Sequence, residues 1–410
     1  MVIISDGKIV SCTADGKVTP VASGILDKYI STVKESARRT EWKYSGEGAK
    51  FMGTYAPHQD ADSAAASVAS KAVGIGFLPD GTMLYSMYIN GASGIYTRPE
   101  NGGTEGIFIS DNEYRYRDIA VNGNRVLVTA EAVGECHVGI IEGDNRYCTF
   151  LTEGVSRESS PCWSAVRENC FYYASAGLEE VPAGNAEEMP AGYNDEISLP
   201  GMMKKLKAEQ QNINRRQGPS GIFRMDLDTY EIDEICADGK YSYISPTEDG
   251  DGGLWYIKYP YRYGDSDRKK PGTVLKDILL FPFRLIGGIF GFFDFFTMKY
   301  SGKTLNSSAG ASKKTAESKK FVLGNLIDAE REIKKNGERG DSFPGYVPAD
   351  YELCRTQDGH TVTVAKGVCA YALYKGEVYY SNGSYVLKMS AGSKPEKVCR
   401  AENVTGIFFR

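Results

Sequence analysis

Histidine is almost missing from this chain: His58, His137 and His360 are the only three among 410 residues. Their spacing fits no metal-ligand pattern, and the sequence contains no H-E-x-x-H, no G-x-S-x-G elbow and no phosphate-cradling G-x-x-x-x-G-K-S/T. No C-x-x-C pair occurs among the nine cysteines (Cys12, Cys136, Cys148, Cys162, Cys170, Cys236, Cys354, Cys369 and Cys399), which argues against a zinc knuckle or a dithiol redox motif and for buried free thiols. The opening Met-Val-Ile-Ile-Ser-Asp lacks the basic start and apolar stretch of a secretory signal, so the expected compartment is the cytoplasm. Positive charge is also short overall. The formal total of -5 disfavours nucleic acid, whose phosphates demand a clustered basic surface.

What the sequence has in quantity is tyrosine (27) and glycine (46). Aromatic side chains suit half-buried pleated surfaces and glycine supplies the positive φ of tight turns, so an all-β body is expected. Strand-like runs recur in fours. The clearest set is Val73–Phe77, Thr82–Tyr88, Gly94–Thr97 and Glu105–Ile109, with Pro-Asp-Gly at the first turn. Four short antiparallel strands make one blade of a β-propeller. Further units are read over 111–154, 155–238, 240–365 and 366–400 beside this one at 71–110. The remaining strands, three within 1–22 and one at 404–410, combine into a sixth blade. Pairing of the two ends removes the open edge that a ring otherwise leaves. A single six-bladed propeller over 1–410 is therefore the expected fold.

Two of the turns carry a family likeness. Phe77-Leu-Pro-Asp-Gly81 and Ser160-Pro-Cys-Trp-Ser164 resemble the W-S-P-D-G turn of TolB-like propeller repeats, and Gly221-Ile-Phe-Arg-Met-Asp226 resembles their I-Y-x-x-D third strand. The resemblance implies the propeller fold. It implies no activity, because propellers host enzymes, inhibitors and scaffolds alike.

Three insertions, 23–70, 178–218 and 263–349, interrupt the repeats. In the first, Ile25, Leu26, Tyr29, Val33 and Ala37 share a helical face with Ser23 as cap, and Pro57–Ser70 reads as a loop. In the second, Met202–Arg216 reads as a basic helix with few apolar anchors. In the third, Ser301–Lys320 has a flexible composition and Leu323–Lys334 reads as a short helix. From Tyr263 to Lys320 there are eleven basic and five acidic residues, so this stretch carries +6 and the rest of the chain -11.

The third insertion also holds the longest apolar run, Ile278–Phe296, within an expected helix at 275–299. It approaches the roughly 20 residues needed to span a bilayer. Strands before and after it belong to one blade, however, and a single crossing would split a sheet across the membrane. On a helical wheel Lys276, Arg284, Gly287, Gly291 and Asp294 form one stripe, with Ile278, Phe281, Leu285, Ile289, Phe292, Phe293 and Phe296 opposite, the pattern of a helix lying in an interface. Seven apolar side chains at about 1.5–3 kcal/mol each outweigh nearby cations worth roughly 1 kcal/mol apiece on anionic lipid. The expected contact residues are Phe281, Phe283, Ile286, Ile289, Phe290, Phe292, Phe293, Phe295 and Phe296 for insertion, with Lys269, Lys270, Lys276 and Lys299 for head groups. The same apolar face also suits a protein partner, the propeller's own side or a second copy.

No catalytic constellation emerges. His58 with Asp60 and Asp62 lies in an Ala/Ser-rich stretch without fixed geometry, and Asp249-Gly-Asp251-Gly-Gly253 reads as a strand turn rather than a calcium loop. The expectation is a non-enzymatic cytoplasmic scaffold without cofactor or metal, peripheral to an anionic membrane face or bound to a protein. The alternative is a small-molecule or carbohydrate-active enzyme using the propeller channel, for which Asp118, Arg157 and Glu158 are the acidic and basic residues to locate.

Overall fold

The computed structural model describes residues 1–44, 60–132, 134–143, 147–182, 213–262, 319–390 and 392–410. The chain is mostly β and divides into two compact units. One comprises Met1–Val126, Ile141–Tyr147 and Cys369–Arg410, and the other Leu127–Ile140 and Cys148–Val368.

The first unit contains three antiparallel four-stranded sheets. The terminal sheet runs in the order Val404–Phe408, Val2–Ser5, Lys8–Cys12, Val18–Pro20, so the last strand of the chain pairs with the first. Ile3 lies opposite both Val10 and Ile407. Successive side chains on a strand point to opposite faces, yet Ile3 and Ile4 are both fully buried, so both faces of this sheet are covered. Ile3 joins Val386 and Cys399 of the sheet Ala370–Tyr374, Glu377–Ser381, Tyr385–Met389, Glu396–Arg400. Ile4 joins Ile75, Met83 and Tyr85 of the sheet Ser70–Phe77, Met83–Ile89, Ala92–Arg98, Gly106–Asp111. The terminal sheet is thus wedged between two others. Ser5 Oγ adds a 2.6 Å bond to the Glu402 carbonyl, and Asn403 donates its side-chain amide to Asp6.

In the second unit, Tyr241–Glu248, Leu254–Pro260, Glu352–Gln357 and His360–Lys366 form one sheet. Ser156–Trp163, Cys170–Pro182, Gly221–Asp226 and Ile232–Cys236 are consecutive in another. Tyr172 and Ile222 of the latter pack against Leu254, Tyr256 and Cys354 of the former. The second sheet continues into Glu135–Ile141 through a parallel bridge, Cys136 to Arg157.

A shared irregularity marks the first strands. Register shifts fall at Ala72/Gly74, Ser159/Cys162 and Ile244/Thr247. At the latter two a serine with positive φ, Ser160 or Ser245, stands directly before a proline. Such bulges bend a strand and raise its twist. The fourth strands are correspondingly the least buried, as the exposed run in Ile232–Cys236 and His360–Val364 shows.

Of the local expectations, the first helix is met with its cap, and the others meet a different outcome. Gly24–Thr40 is a helix, and Ser23 Oγ accepts from Leu26 N at 3.2 Å as its cap. Its Ile25 and Leu26 rest on the cluster around Tyr85. Within the stretch read as a loop, Asp60 caps a short helix, Ala61–Ala66, by accepting from Ser63 N at 2.7 Å. The expected helix at Leu323–Lys334 is instead a hairpin, Lys319–Val322 with Asn325–Asp328, followed by a helix Ala329–Glu338 capped by Asp328. Leu323 and Gly324 form its two-residue turn with φ of 47° and 84°, a left-handed pair that no helix accommodates. The C-terminal end of the expected basic helix is also a strand, Ile213–Gln217, paired with Leu178–Pro182. The remainder of that helix, and the apolar helix at 275–299, lie outside the described residues.

Candidate functional site

The two ends of the third insertion are held together by the fold. Leu254–Pro260 and Glu352–Gln357 are antiparallel neighbours with Lys258 opposite Glu352, so the chain departs from and returns to adjacent strands of one sheet. Adjacent strands lie roughly 4.8 Å apart. Tyr259 and Tyr351 stack with ring centres 5.1 Å apart, and Arg262 meets Asp350 at 2.5 Å just beyond them. Tyr261 donates to the Gln217 carbonyl at 2.6 Å. On the returning side, Asn336 is buried on the helix Ala329–Glu338 and donates to the carbonyls of Gly345 and Val347 at 2.8 and 3.0 Å. The neck is therefore fixed by stacking, an ion pair and buried amide bonds.

Beside the neck is an open cleft of about 420 Å³ lined by Arg339, Asp341, Ala349, Asp350, Glu352 and Lys366. Five of its six lining residues carry charge, and it is open, unlike the enclosed sites that take small organic ligands. All of the predicted contact residues, Phe281, Phe283, Ile286, Ile289, Phe290, Phe292, Phe293, Phe295 and Phe296 with Lys269, Lys270, Lys276 and Lys299, lie outside the described residues.

Among the described residues there is also a buried polar cluster that sequence reading did not assemble. The Cys136–Arg157 bridge brings the next residue on each strand, His137 and Glu158, side by side. His137 Nδ1 lies 2.8 Å from Glu158 Oε2, and His137 Nε2 lies 3.7 Å from Glu135. Glu158 is 5% exposed and accepts from Ser156 Oγ at 2.6 Å, Ser175 Oγ at 3.2 Å and Thr152 Oγ1 at 3.2 Å. Thr152 in turn accepts from Val138 N at 2.8 Å. Arg157, on the other face of its strand, reaches Glu131 at 3.3 Å and the Gly134 carbonyl at 2.8 Å. Asp118 belongs to the first compact unit.

Burial works against a charged His137 ring, but the hydrogen bond and charge of Glu158, with Glu135 behind them, hold its pKa above the ordinary histidine value. Both ring nitrogens face carboxylates, and Ser156 gives its proton to Glu158. The geometry is that of a cation clamped between anions, not of a base activating a hydroxyl. Because the folded pKa is raised, the stabilisation is complete below about pH 6.5 and disappears as pH rises through the folded value. Urea midpoints measured from pH 6 to 9 are expected to fall across this window, and more steeply than in a His137→Gln variant. Equal slopes would contradict the clamp.

The run resembling a calcium loop is a turn joining Tyr241–Glu248 to Leu254–Pro260. Asp249 is engaged by Arg355 Nε and Trp255 Nε1, both at 2.7 Å, and by the amides of Gly253 and Asp251. Partial burial pushes its pKa up, but these donors prevail and hold it at about 2. The carboxylate is thus occupied within the turn. His58 lies outside the described residues, and no cluster of three potential metal ligands occurs among those described.

No family model matches the chain, and no curated protein matches its sequence. Among solved structures, a putative TolB from Agrobacterium tumefaciens is 18% identical over 47% of this chain and 55% of its own, with a TM-score of 0.32. TolB from Acinetobacter baumannii is 10% identical over 82% of this chain and 56% of its own, with a TM-score of 0.42. A nidogen/laminin complex aligns at 10% identity over 99% of this chain and 95% of its own, with a TM-score of 0.45. The chain spans little more than half the length of the two TolB structures. By its own four-stranded antiparallel sheets the chain resembles TolB-like propellers in fold.

Proposed function

We propose that the chain is a propeller of six blades, 1–22 with 404–410, 71–110, 111–154, 155–238, 240–365 and 366–400, closed by its terminal strands. It works in the cytoplasm as a non-enzymatic binding scaffold. The segment Ile278–Phe296 attaches it to an anionic membrane surface or to the apolar groove of a protein partner, with self-association through the same segment as a further consequence of its apolar face.

The observation that carries this reading is the neck. An insertion whose ends are clasped by Tyr259–Tyr351 stacking and the Arg262–Asp350 pair leaves and rejoins one sheet within a strand's width. A segment so tethered leaves from and returns to one place on a sheet, and a single crossing of a bilayer would part strands that are hydrogen-bonded to each other. Interfacial attachment of an amphipathic segment requires no such separation. The channel-enzyme alternative gains nothing from Glu158 and Arg157, which are engaged with His137 and Glu131.

Sedimentation with anionic and neutral vesicles tests the proposal, using the intact chain and a variant with residues 275–299 replaced by a Gly/Ser linker. The intact chain is expected to pellet with anionic vesicles and to be only partly released by high salt, because the apolar contribution exceeds the ionic one. The variant is expected to keep its thermal transition and remain in solution. If the intact chain also stays in solution, membrane attachment is wrong; if the linker variant loses its transition, the segment serves packing instead.

A further inference from the structure

The helix Gly24–Thr40 is fastened to a sheet by its first turn. Ser23 Oγ lies 3.0 Å from Tyr85 Oη, and the Glu105 carboxylate accepts from Ser23 Oγ at 3.3 Å, Ile25 N at 3.0 Å and Tyr85 Oη at 2.9 Å. No residue of the helix is buried, and over its 17 residues the chain advances about 25 Å from the cap. Lys34 pairs with Asp62 of the short helix Ala61–Ala66, which braces the outgoing chain. Glu41 keeps right-handed helical geometry, with φ of -56° and ψ of -37°, and leads into a single 3-10 turn, Glu41–Lys43. There Trp42 stands 55% exposed and Tyr44 39% exposed, whereas Trp163 is buried and Trp255 half-buried. Lys43 Nζ lies 5.8 Å from the centre of the Trp42 ring. From Arg38 to Tyr44 there are three cations and one anion, in a chain whose formal total is -5.

We propose that this helix end, with Arg38, Arg39, Trp42, Lys43 and Tyr44, is a contact surface for an anionic lipid bilayer, separate from the insertion 263–349. The negative end of the helix dipole accounts for cations here. It does not account for an indole left in water. A tryptophan ring is largely apolar with one N–H donor, so it is best placed where one end is apolar and the other wet. Tryptophan and tyrosine accordingly concentrate at the head-group level of membranes, and lysine and arginine beside them are attracted to an anionic leaflet. The surroundings favour lipid over a protein groove. An aromatic hot spot for a protein sits inside a ring of contacts that exclude water, whereas the outward residues of this helix are polar: Lys28, Ser31, Thr32, Glu35 and Ser36 are all exposed. Arg39 meets Glu35 at 3.6 Å, a pair so exposed that a lipid phosphate can replace the carboxylate at little cost.

The tryptophan itself reports the contact. The intact chain is mixed with excess vesicles of phosphatidylcholine and phosphatidylserine whose acyl chains are brominated near the head group, and in parallel with brominated vesicles of phosphatidylcholine alone. On the anionic vesicles the emission is expected to shift to shorter wavelength and to be quenched by bromine. Trp42→Phe is expected to abolish both changes, because neither Trp163 nor Trp255 is exposed. Arg38→Gln combined with Arg39→Gln and Lys43→Gln is expected to lose most of the quenching at the same lipid concentration, as is the wild type in high salt. The substituted side chains lie on the surface, so each variant is expected to keep its thermal transition. Quenching that persists in Trp42→Phe, or equal quenching on neutral vesicles, overturns the proposal. An intact chain that pellets with anionic vesicles yet shows no quenching of Trp42 overturns this contact alone and leaves attachment through Ile278–Phe296 standing.

Discussion

Ile407→Ala is expected to destabilise the chain by about 2–5 kcal/mol, the usual cost of truncating a buried isoleucine and leaving a cavity. Ile407 is 4% exposed and lies opposite Ile3 in the terminal sheet, in the cluster formed with Val10, Val386 and Val404. A residue this close to the chain end is ordinarily frayed and tolerant of change. Here it fills the face between two sheets, so the loss propagates to both. Ile232→Ala is the matched control: Ile232 is 51% exposed on a fourth strand, and its truncation is expected to cost no more than about 0.5 kcal/mol. Equilibrium urea unfolding distinguishes the two, and a loss below about 1 kcal/mol at Ile407 would mean that the last strand contributes little.

Glu158→Ala carries the second large effect, about 3–5 kcal/mol, because it strands a charged, mostly buried His137 and removes the acceptor of three hydroxyls. Much of that loss is the cost of leaving His137 without its partner. Accordingly, Glu158→Ala combined with His137→Ala is expected to be less harmful than the sum of the single changes, with a coupling of about 0.5–3 kcal/mol. Unfolding measured near pH 6, where His137 is charged, gives the largest coupling. Additive losses would show that the two groups are held by their surroundings and not by each other.

How much of this was readable before folding differs by element. The sheet Ser70–Ile89 through Asp111 was legible because its strands are contiguous, alternate clearly and are joined by turns such as Pro79-Asp80-Gly81. Pairing of Val2–Ser5 with Val404–Phe408 followed from counting unpartnered strands at the two ends. The hairpin at Lys319–Asp328 was misread because Leu323, Leu326 and Ile327 mimic a helical face, while the deciding signal was the Leu-Gly turn between them. Ile213–Gln217 was misread because its cations suit a helix, whereas its pairing with Leu178–Pro182 is a long-range fact that local pattern does not contain. His137 and Glu158 escaped notice for a similar reason: a single parallel bridge unites residues 21 positions apart, and no motif encodes it.

Closure of the proposed ring by the two paired ends is tested most directly by amide hydrogen exchange of the intact chain followed by mass spectrometry. Peptides covering Val2–Ser5 and Val404–Phe408 are predicted to exchange together and as slowly as those of the buried strand Met83–Ile89, through one cooperative opening. Exchange of Val404–Phe408 many-fold faster than Val2–Ser5 would show a C-terminal strand that detaches on its own, and would contradict closure by the paired ends.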